Sequence, residues 1–278
     1  MNVPVKGAEL FYAARGRGSS TCLVLSSIGT RPYERQIPDA LDTTLRMAFV
    51  DLRGSGRSTG EPADLTFDLL AEDLEAVREH LGIARVAVLG HSILGALAIE
   101  YARRRADSVS HVIAVGAPPT GDMARVLAAG KPFFEEDASE ERKRILRDNM
   151  AALPSGAAPA QMVLAQTPMR FFDPRFDAAP LFAGAETNPA MLAHLLGTLV
   201  RGWDITTATP PLRTPLLLAH GRYDYTVPYT MWQGITERLP AATFRLFERS
   251  GHQPFVEEAE VFAEVMERWM GSSETRST

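Results

Sequence analysis

The chain has 278 residues, 45% of which are hydrophobic, and its formal net charge is −5. This length and apolar content suffice for one large domain with a sizeable core. Acidic and basic residues are interspersed along the chain, which argues against nucleic acid or an anionic membrane as a partner.

The compartment is predicted from apolar runs and cysteine usage. No apolar run reaches membrane-spanning length, and the N-terminus lacks a basic-then-apolar leader, so we expect a cytoplasmic protein without a membrane partner. The one cysteine, Cys22, lies in an apolar run, so no intrachain disulfide can form and we expect a buried, inert thiol. The sequence leaves assembly into a homo-oligomer open.

The first part of the chain alternates between predicted strands and helices. Its predicted strands are Ala8–Ala14, Thr21–Ser26, Met47–Asp51, Arg85–Leu89 and Val109–Val115, and its predicted helices are Phe67–Leu81 and Ile93–Arg105. Such alternation predicts an α/β fold with a mostly parallel sheet covered by helices on both faces. The first two strands are too close for a crossover helix, so we expect them to form an antiparallel pair.

The alternation stops after Val115 and resumes after residue 209. Residues 120–209 contain helical segments near Ser139–Ala152, Ala157–Thr167 and Pro189–Val200, and no convincing strand. The alternation then continues through Pro215–Ala219 (strand), Pro228–Leu239 (helix), Thr243–Phe247 (strand) and Pro254–Met270 (helix), before a polar tail, Gly271–Thr278, that we expect to fray.

The helical insertion has a predictable place in such a fold. Connections that leave the C-terminal ends of parallel strands lie over the crevice where these sheets bind ligands. We therefore predict a core domain of residues 1–119 and 210–278, with residues 120–209 inserted as a helical lid.

A serine on a sharp strand-to-helix turn is the candidate nucleophile. A buried strand is followed at once by Gly90-His91-Ser92 and then by a helix rich in Ala and Leu. Such a turn holds the serine above the sheet at a helix N-terminus, where developing negative charge is favoured. The pattern is close to G-x-S-x-G, but Leu94 replaces the last glycine and Gly95 follows one place later. An ordinary serine in a strand–helix turn is the alternative interpretation.

A serine hydroxyl needs a base beside it and a group that orients the base. His252 is the candidate base, because it lies in a loop between the last predicted strand and the last helix. Asp224 is the candidate acid, just past a buried strand, with an ordinary turn aspartate as the alternative and Asp122 as a rival. The order Ser92, Asp224, His252, each just after a strand, is what identifies this kind of triad.

The tetrahedral intermediate of acyl transfer needs two N–H donors for its oxyanion. We assign these donors to the backbone of Ile93, directly after the nucleophile, and of Ile28, with Ser27 as the alternative to Ile28. This chemistry requires no cofactor and no metal, and no metal motif such as His-Glu-x-x-His is present. The side chain of His91 is expected to point away from the nucleophile and to serve in packing.

With these motifs the chain resembles the α/β-hydrolase superfamily over nearly its full length. Gly90–Gly95 matches the family's nucleophile turn apart from Leu94, and Asp51–Ser58 resembles its D-x-R-G-x-G-x-S loop. Gly221–Pro228 and Ser250–Pro254 match its acid and histidine loops. The resemblance implies the α/β-hydrolase fold and a serine hydrolase activity.

Two branches of the family compete. Ser250–Glu258 resembles proline-iminopeptidase-like members, whereas Ser26–Thr30 lacks the Gly-Gly-Pro-Gly run of those peptidases. The latter segment is more similar to the Asn-Ser-Leu-Gly-Thr of 3-oxoadipate enol-lactonases, which favours ester or lactone hydrolysis. Haloalkane dehalogenase and epoxide hydrolase chemistry is disfavoured, because those relatives carry an aspartate where Ser92 stands.

The leading prediction is therefore a serine hydrolase of carboxylic esters or lactones, acting on a small-to-medium apolar molecule. Phe134, Phe172 and Trp203 of the predicted lid are the substrate-binding candidates, with simple packing as the alternative for each. A proline-iminopeptidase-like aminopeptidase is the second hypothesis; it would need a buried carboxylate for the substrate's ammonium, such as Glu186 or Asp173. A binding protein on a hydrolase scaffold is the third.

Overall fold

The chain folds around one eight-stranded sheet, in a computed structural model that describes residues 1–274 and the side chains of residues 1–272. The strands are β1 (Asn2–Val5), β2 (Ala8–Arg15), β3 (Ser20–Ser26), β4 (Leu45–Asp51), β5 (Val86–His91), β6 (Val109–Val115), β7 (Leu216–Gly221) and β8 (Ala242–Phe247). Their order across the sheet is β1-β2-β4-β3-β5-β6-β7-β8. The β1–β2 and β2–β4 pairs are antiparallel and the other five are parallel, which confirms the predicted fold class.

Helices cover both faces of this sheet. They are α1 (Thr30–Gln36), α2 (Phe67–His80), α3 (Leu94–Arg104), α4 (Met123–Asp137), α5 (Glu140–Ala151), α6 (Pro159–Ala165), α7 (Thr167–Arg170), α8 (Pro189–His194), α9 (Pro254–Glu257) and α10 (Ala259–Glu274). Helices α2 and α3 contribute to the apolar cluster on one face, and α1, α9 and α10 contribute to the cluster on the other. Within the described residues, no helix is long and apolar enough to cross a membrane.

The central strands are apolar throughout because both of their faces are buried. In β5, Val86 and Val88 join one core cluster, while Ala87 and Leu89 join the cluster on the opposite face. Cys22 on β3 is buried as expected, and burial raises the pKa of its thiol to about 12, so the thiol stays protonated and inert.

The start of the sheet differs from the prediction. The strands at Ala8–Arg15 and Ser20–Ser26 do not pair with each other, because β4 lies between them. The antiparallel pair at this edge is instead a hairpin of β1 and β2, turned at Gly7 with a φ of 72°. The sequence did not reveal β1, since this four-residue strand buries only Val3 and carries no readable alternation.

Two predicted helices near the C-terminus are wrong in their extent. Residues 228–239 form only two short 3₁₀ turns, Tyr229–Trp232 and Thr236–Arg238, because Gly234 between them adopts a φ of 72°. The last predicted helix is broken at Glu258, where φ is −126°, so α9 and α10 are separate. The predicted frayed tail is helical as far as Glu274, and residues 275–278 lie outside the described residues.

The chain between β6 and β7 contains α4 to α8 and short 3₁₀ and π turns, with one isolated bridge between Thr120 and Asp204. Helix α4 was not predicted, because Gly130 and Pro132 lie inside it and read as helix breakers. Asp122, the rival acid, caps this helix by accepting hydrogen bonds from two of its first amides. The division into core and lid remains a prediction.

The close approach of α3 to the sheet depends on Gly95, and its replacement is the first test. A Cβ atom at this position would lie 2.4 Å from the Cβ of Ala117. We expect Gly95→Ala to lower the free energy of unfolding by about 1–3 kcal/mol, because the overpacked atoms must shift. Urea denaturation measures this change.

The matched control is Gly271→Ala in α10, where the added Cβ meets no atom within 4 Å apart from its chain neighbours and its own helix's backbone, among the described residues. This variant should be as stable as the wild type or more stable by about 0.5–1 kcal/mol, since alanine favours helix. Equal stability of the two variants would contradict the packing argument.

Candidate active site

Ser92 lies on a strained turn between β5 and α3. Its φ is 56°, and it is the only non-glycine residue with a positive φ among residues 1–274. The backbone N–H of Ser92 donates to the carbonyl of Val115 at 2.8 Å, which fixes the turn to the end of β6. Gly90 is required here, because a Cβ would lie 2.2 Å from the carbonyl oxygen of Leu94. The geometry is that of a nucleophile turn.

The departure at Leu94 is accommodated without opening the turn. The side chain of Leu94 is 3% exposed and belongs to the core cluster on the α3 face of the sheet. Gly95, one residue later, makes the close approach to Ala117 described above. The burial of Leu94 in this cluster supplies a structural reason for its presence.

Asp224 and His252 are in direct contact. Asp224 Oδ2 lies 2.6 Å from His252 Nδ1, and both side chains are buried. The other carboxylate oxygen, Oδ1, accepts from the amides of Thr226 and Val227 and from the Thr226 hydroxyl. Burial opposes ionisation, but His252 and these donors hold the pKa of Asp224 below its usual value. The carboxylate is therefore charged and fixed in orientation.

His252 is held by its backbone as well as by its ring. Its N–H donates to the carbonyl of Arg170 at 2.6 Å. A Cβ at Gly251 would lie 2.1 Å from that same carbonyl oxygen, and a Cβ at Gly116 would lie 2.9 Å from His252 Nδ1. These two glycines let the chain close around the histidine, so the loop after β8 has little freedom.

The side chain of His91 binds the backbone of the His252 loop. Its Nε2 donates to the carbonyl of His252 at 3.0 Å, and its Nδ1 lies 3.1 Å from the Tyr33 hydroxyl, which donates to it. Burial and the neighbouring His252 ring place the pKa of His91 well below its usual value, so the ring is neutral and this tautomer is fixed. The sequence assigned His91 to packing and did not reveal this contact with the His252 loop.

Ser92 and His252 line the same cavity, which has a volume of about 190 Å³. A second cavity of about 590 Å³ lies against the loop after β3 and is lined by Ser27 and Ile28. Met123 at the start of α4 lines both cavities. Ser92 and His252 thus line one cavity, His252 contacts Asp224, and the predicted oxyanion loop lines the second cavity.

The two predicted oxyanion donors differ in their backbone surroundings. Ile93 immediately precedes the first residue of α3, so its N–H belongs to the groups that a helix leaves unsatisfied. The N–H of Ile28 donates to Ser26 Oγ at 3.2 Å, and the carbonyl of Ile28 accepts from Glu186. The assignment of the oxyanion hole to Ile28 and Ile93 remains a prediction.

The D-x-R-G loop holds the end of β3, where the oxyanion loop begins. The amide of Leu52 donates to the carbonyl of Ser26 at 2.8 Å. Arg53 makes two hydrogen bonds, of 3.0 and 2.6 Å, to the buried carboxylate of Asp73, which anchors the loop to α2. Gly56 is needed here because a Cβ would lie 2.3 Å from Asp51 Oδ2.

Within the described residues, none of the three substrate-binding candidates lines the cavity that contains Ser92. Phe134 packs edge-on against Tyr225 in a small apolar cluster. Phe172 packs against Tyr223, 4.9 Å between ring centres. Trp203 donates from its indole to Glu100 at 2.8 Å. Each side chain packs the insertion against the sheet-bearing part of the chain, which is the alternative that the sequence left open.

Residues of α4 and α7 replace those three side chains. The cavity is lined by Met123, Val126, Leu127, Gly130 and Lys131 of α4, by Gln166, Met169 and Arg170 around α7, and by Tyr225, Thr226 and Val227 next to Asp224. A usable signal was present, since the buried residues of α4 (Val126, Gly130 and Phe134) follow i, i+4, i+8 spacing. Gly130 permits close approach, because a Cβ there would lie 2.5 Å from the carbonyl oxygen of Tyr225.

Within the described part of the chain, no group of three or more His, Cys, Asp or Glu side chains is arranged so that it could hold a metal ion.

A family model described as "alpha/beta hydrolase fold" matches residues 28–259. The chain belongs to the α/β-hydrolase superfamily. This confirms the resemblance predicted from Gly90–Gly95 and the acid and histidine loops.

Known proteins similar to this α/β hydrolase match over nearly its whole length. The AB hydrolase superfamily protein YclE of Bacillus subtilis (strain 168) is 29% identical over 273 residues, 95% of this chain and 96% of that protein. A pimeloyl-[acyl-carrier protein] methyl ester esterase of Vibrio vulnificus (strain YJ016) is 27% identical over 272 residues, 95% of this chain and 98% of that one. The crystal structure of proline iminopeptidase from Mycobacterium smegmatis shares the fold, with a TM-score of 0.77, 22% identity and coverage of 100% and 99%.

One buried group near this site makes stability depend on pH. His220 lies at the end of β7, is fully buried, and has no hydrogen-bond partner for either ring nitrogen in the part of the chain that is described. Its ring stacks on Phe244, with 5.6 Å between ring centres. Burial lowers the pKa of His220 from 6.5 to about 4, because a charged ring would be desolvated.

The folded state therefore resists a proton that the unfolded chain accepts below about pH 6.5. The contribution of His220 to stability is therefore undiminished above that pH and should fall by up to about 3 kcal/mol as the pH drops to about 4. We expect His220→Leu to remove most of this loss, as measured by urea unfolding at pH 7.5 and 4.5. His80→Leu, at the exposed end of α2, is the control. Identical pH dependence in the wild type and His220→Leu would refute the assignment.

Proposed function

We propose that this hydrolase cleaves carboxylic ester or lactone bonds through Ser92, His252 and Asp224. The observation that carries the proposal is the 2.6 Å contact between Asp224 and His252, with His252 and the strained Ser92 lining one cavity. An orienting acid, a base and a nucleophile on a strained turn are the parts that acyl transfer to serine requires.

The proposed reaction begins at Ser92. Its Oγ attacks the substrate's carbonyl carbon while His252 Nε2 takes the hydroxyl proton, because Nδ1 is bound to Asp224. The amides of Ile93 and Ile28 hold the oxyanion of the tetrahedral intermediate. His252 then gives its proton to the departing alkoxide oxygen, which leaves an acyl-enzyme. Water hydrolyses that acyl-enzyme by the same route, and the serine hydroxyl is restored.

The charged residues that line the cavity favour ester substrates over peptides with a free amino terminus. An aminopeptidase must hold the substrate's ammonium with a carboxylate. Among the described residues, however, the two charged groups that line the cavity beside Ser92 and His252 are the cations of Lys131 and Arg170. Glu186 and Asp173, the candidates for that carboxylate, are exposed and do not line this cavity. The esterase name of the Vibrio vulnificus relative points the same way.

A substrate panel tests this proposal. We expect turnover of short p-nitrophenyl esters and of a simple lactone, with kcat/KM values well above that for prolyl naphthylamide, because the cavity offers no anion for an ammonium. Ser92→Ala should lower ester turnover by about 10⁴-fold or more, since the nucleophile is lost. Ser272→Ala, exposed at the end of α10, is the matched control and should keep full activity.

Two outcomes would overturn the proposal. One is ester turnover in Ser92→Ala equal to that of the wild type. The other is prolyl naphthylamide as the best substrate of the panel, which would favour the aminopeptidase alternative.

A further inference from the structure

The cavity beside Ser92 contains an arginine that the proposed reaction does not use. Arg170 is the last residue of α7 and lines the cavity together with Ser92 and His252. The inference drawn from it deepens the proposed function and rests on it, because it concerns the substrate of the same site.

The guanidinium of Arg170 is poorly satisfied. Its Nε is buried and has no hydrogen-bond partner among the described residues, and Nη2 makes only a 3.4 Å contact with Gln166 Oε1. A planar guanidinium carries five N–H donors and pairs well with a carboxylate. Arg53, by comparison, has two hydrogen bonds to the carboxylate of Asp73. Arg170, which lines the cavity, thus has an unused donor at Nε.

The charge of Arg170 is only partly compensated. Burial lowers the pKa of its guanidinium, and Asp224 is the acidic group that partly opposes this effect. Asp224, however, is already bound to His252 and to the loop that follows it. Lys131 at the cavity adds a second, exposed cation, and no acidic side chain lines this cavity among the described residues. The net positive charge of the cavity lining therefore favours binding of an anion.

The backbone fixes the position of this arginine relative to the proposed triad. The carbonyl of Arg170 accepts from the N–H of His252 at 2.6 Å, and the carbonyl of Met169 accepts from the N–H of Tyr225 at 2.9 Å. Arg142 donates from Nη1 to the carbonyls of Pro168 and Phe171 on either side. The segment Met169–Arg170 is thus attached to both the base loop and the acid loop, which is the preorganisation that a specificity residue needs.

We propose that Arg170 binds a carboxylate of the substrate, so that the enzyme prefers esters whose acyl part ends in a carboxylate. A short half-ester of a dicarboxylic acid fits this description, because the cavity of about 190 Å³ accommodates only a small group next to Ser92. The bidentate geometry of guanidinium and carboxylate would place the scissile carbonyl within reach of the serine. Arg170 is then a specificity-determining residue.

The test compares monomethyl glutarate with methyl valerate, which has the same carbon chain without the carboxylate. The wild type should have the higher kcat/KM for monomethyl glutarate, measured by methanol release. Arg170→Gln should lower that value by about 10- to 100-fold, mainly through KM, and should change the value for methyl valerate by less than about threefold. Arg170→Lys should restore part of the preference, because it restores the charge.

The matched control is Arg144→Gln on the exposed side of α5, which should leave both esters unaffected. A purely structural role for Arg170 would lower turnover of both esters equally, and that result would overturn the proposal. Unchanged kinetics in Arg170→Gln, or a wild-type preference for methyl valerate, would overturn it as well.

A binding measurement separates this proposal from the proposed function. Calorimetry on Ser92→Ala protein should detect monomethyl glutarate, and Arg170→Gln in the same background should weaken binding by about tenfold or more. If the wild type hydrolyses no ester or lactone, including those of the panel above, but this binding difference holds, the esterase proposal fails and the anion site stands. If Ser92→Ala binds monomethyl glutarate no better than methyl valerate, the anion site fails.

Discussion

The contact of 2.6 Å between Asp224 and His252 is the interaction on which the account depends. It joins the loops after β7 and β8, two neighbouring parallel strands whose C-terminal ends open on the same edge of the sheet. The backbones of these two loops pack so closely that a side chain would not fit at Gly221, where a Cβ would lie 2.0 Å from the carbonyl oxygen of Gly251. A one-residue displacement of either loop would separate the carboxylate from the imidazole.

The insertion between β6 and β7 takes part in this geometry. Through Met169 and Arg170 it accepts hydrogen bonds from the backbone of Tyr225 and His252, and the amide of Phe172 donates to Glu257 at 2.6 Å. The same short segment therefore supports the acid loop and the base loop and supplies part of the cavity wall. Substrate binding and the alignment of the proposed triad consequently depend on shared backbone contacts.

Much of the fold was predictable from the sequence, because its signals are local. The apolar run of β5 followed by Gly90-His91-Ser92 specifies a strand, a turn and a helix within ten residues. The order of the strands was not predictable in full, since the placement of β4 between β2 and β3 depends on pairing that no local pattern encodes. Helix α4 was missed because Gly130 and Pro132 suggest a break, although the packed protein tolerates both within this helix.

The candidate site was predictable to the same degree. Residue type, chain order and position after a strand sufficed to select Ser92, Asp224 and His252. Residues such as Phe134 and Trp203 could not be placed, because an aromatic side chain packs equally well in an interior cluster or against a ligand. Arg170 carries no sequence signal, since only the folded chain shows that its Nε lacks a partner among the described residues.

Labelling with a fluorophosphonate tests the central claim most directly, because the reagent reports whether a serine hydroxyl is activated. We expect about one label per chain, located on Ser92 by peptide mass spectrometry, and much slower labelling of the His252→Gln variant. A chain that remains unlabelled, or one that carries its label on another serine, would contradict the account.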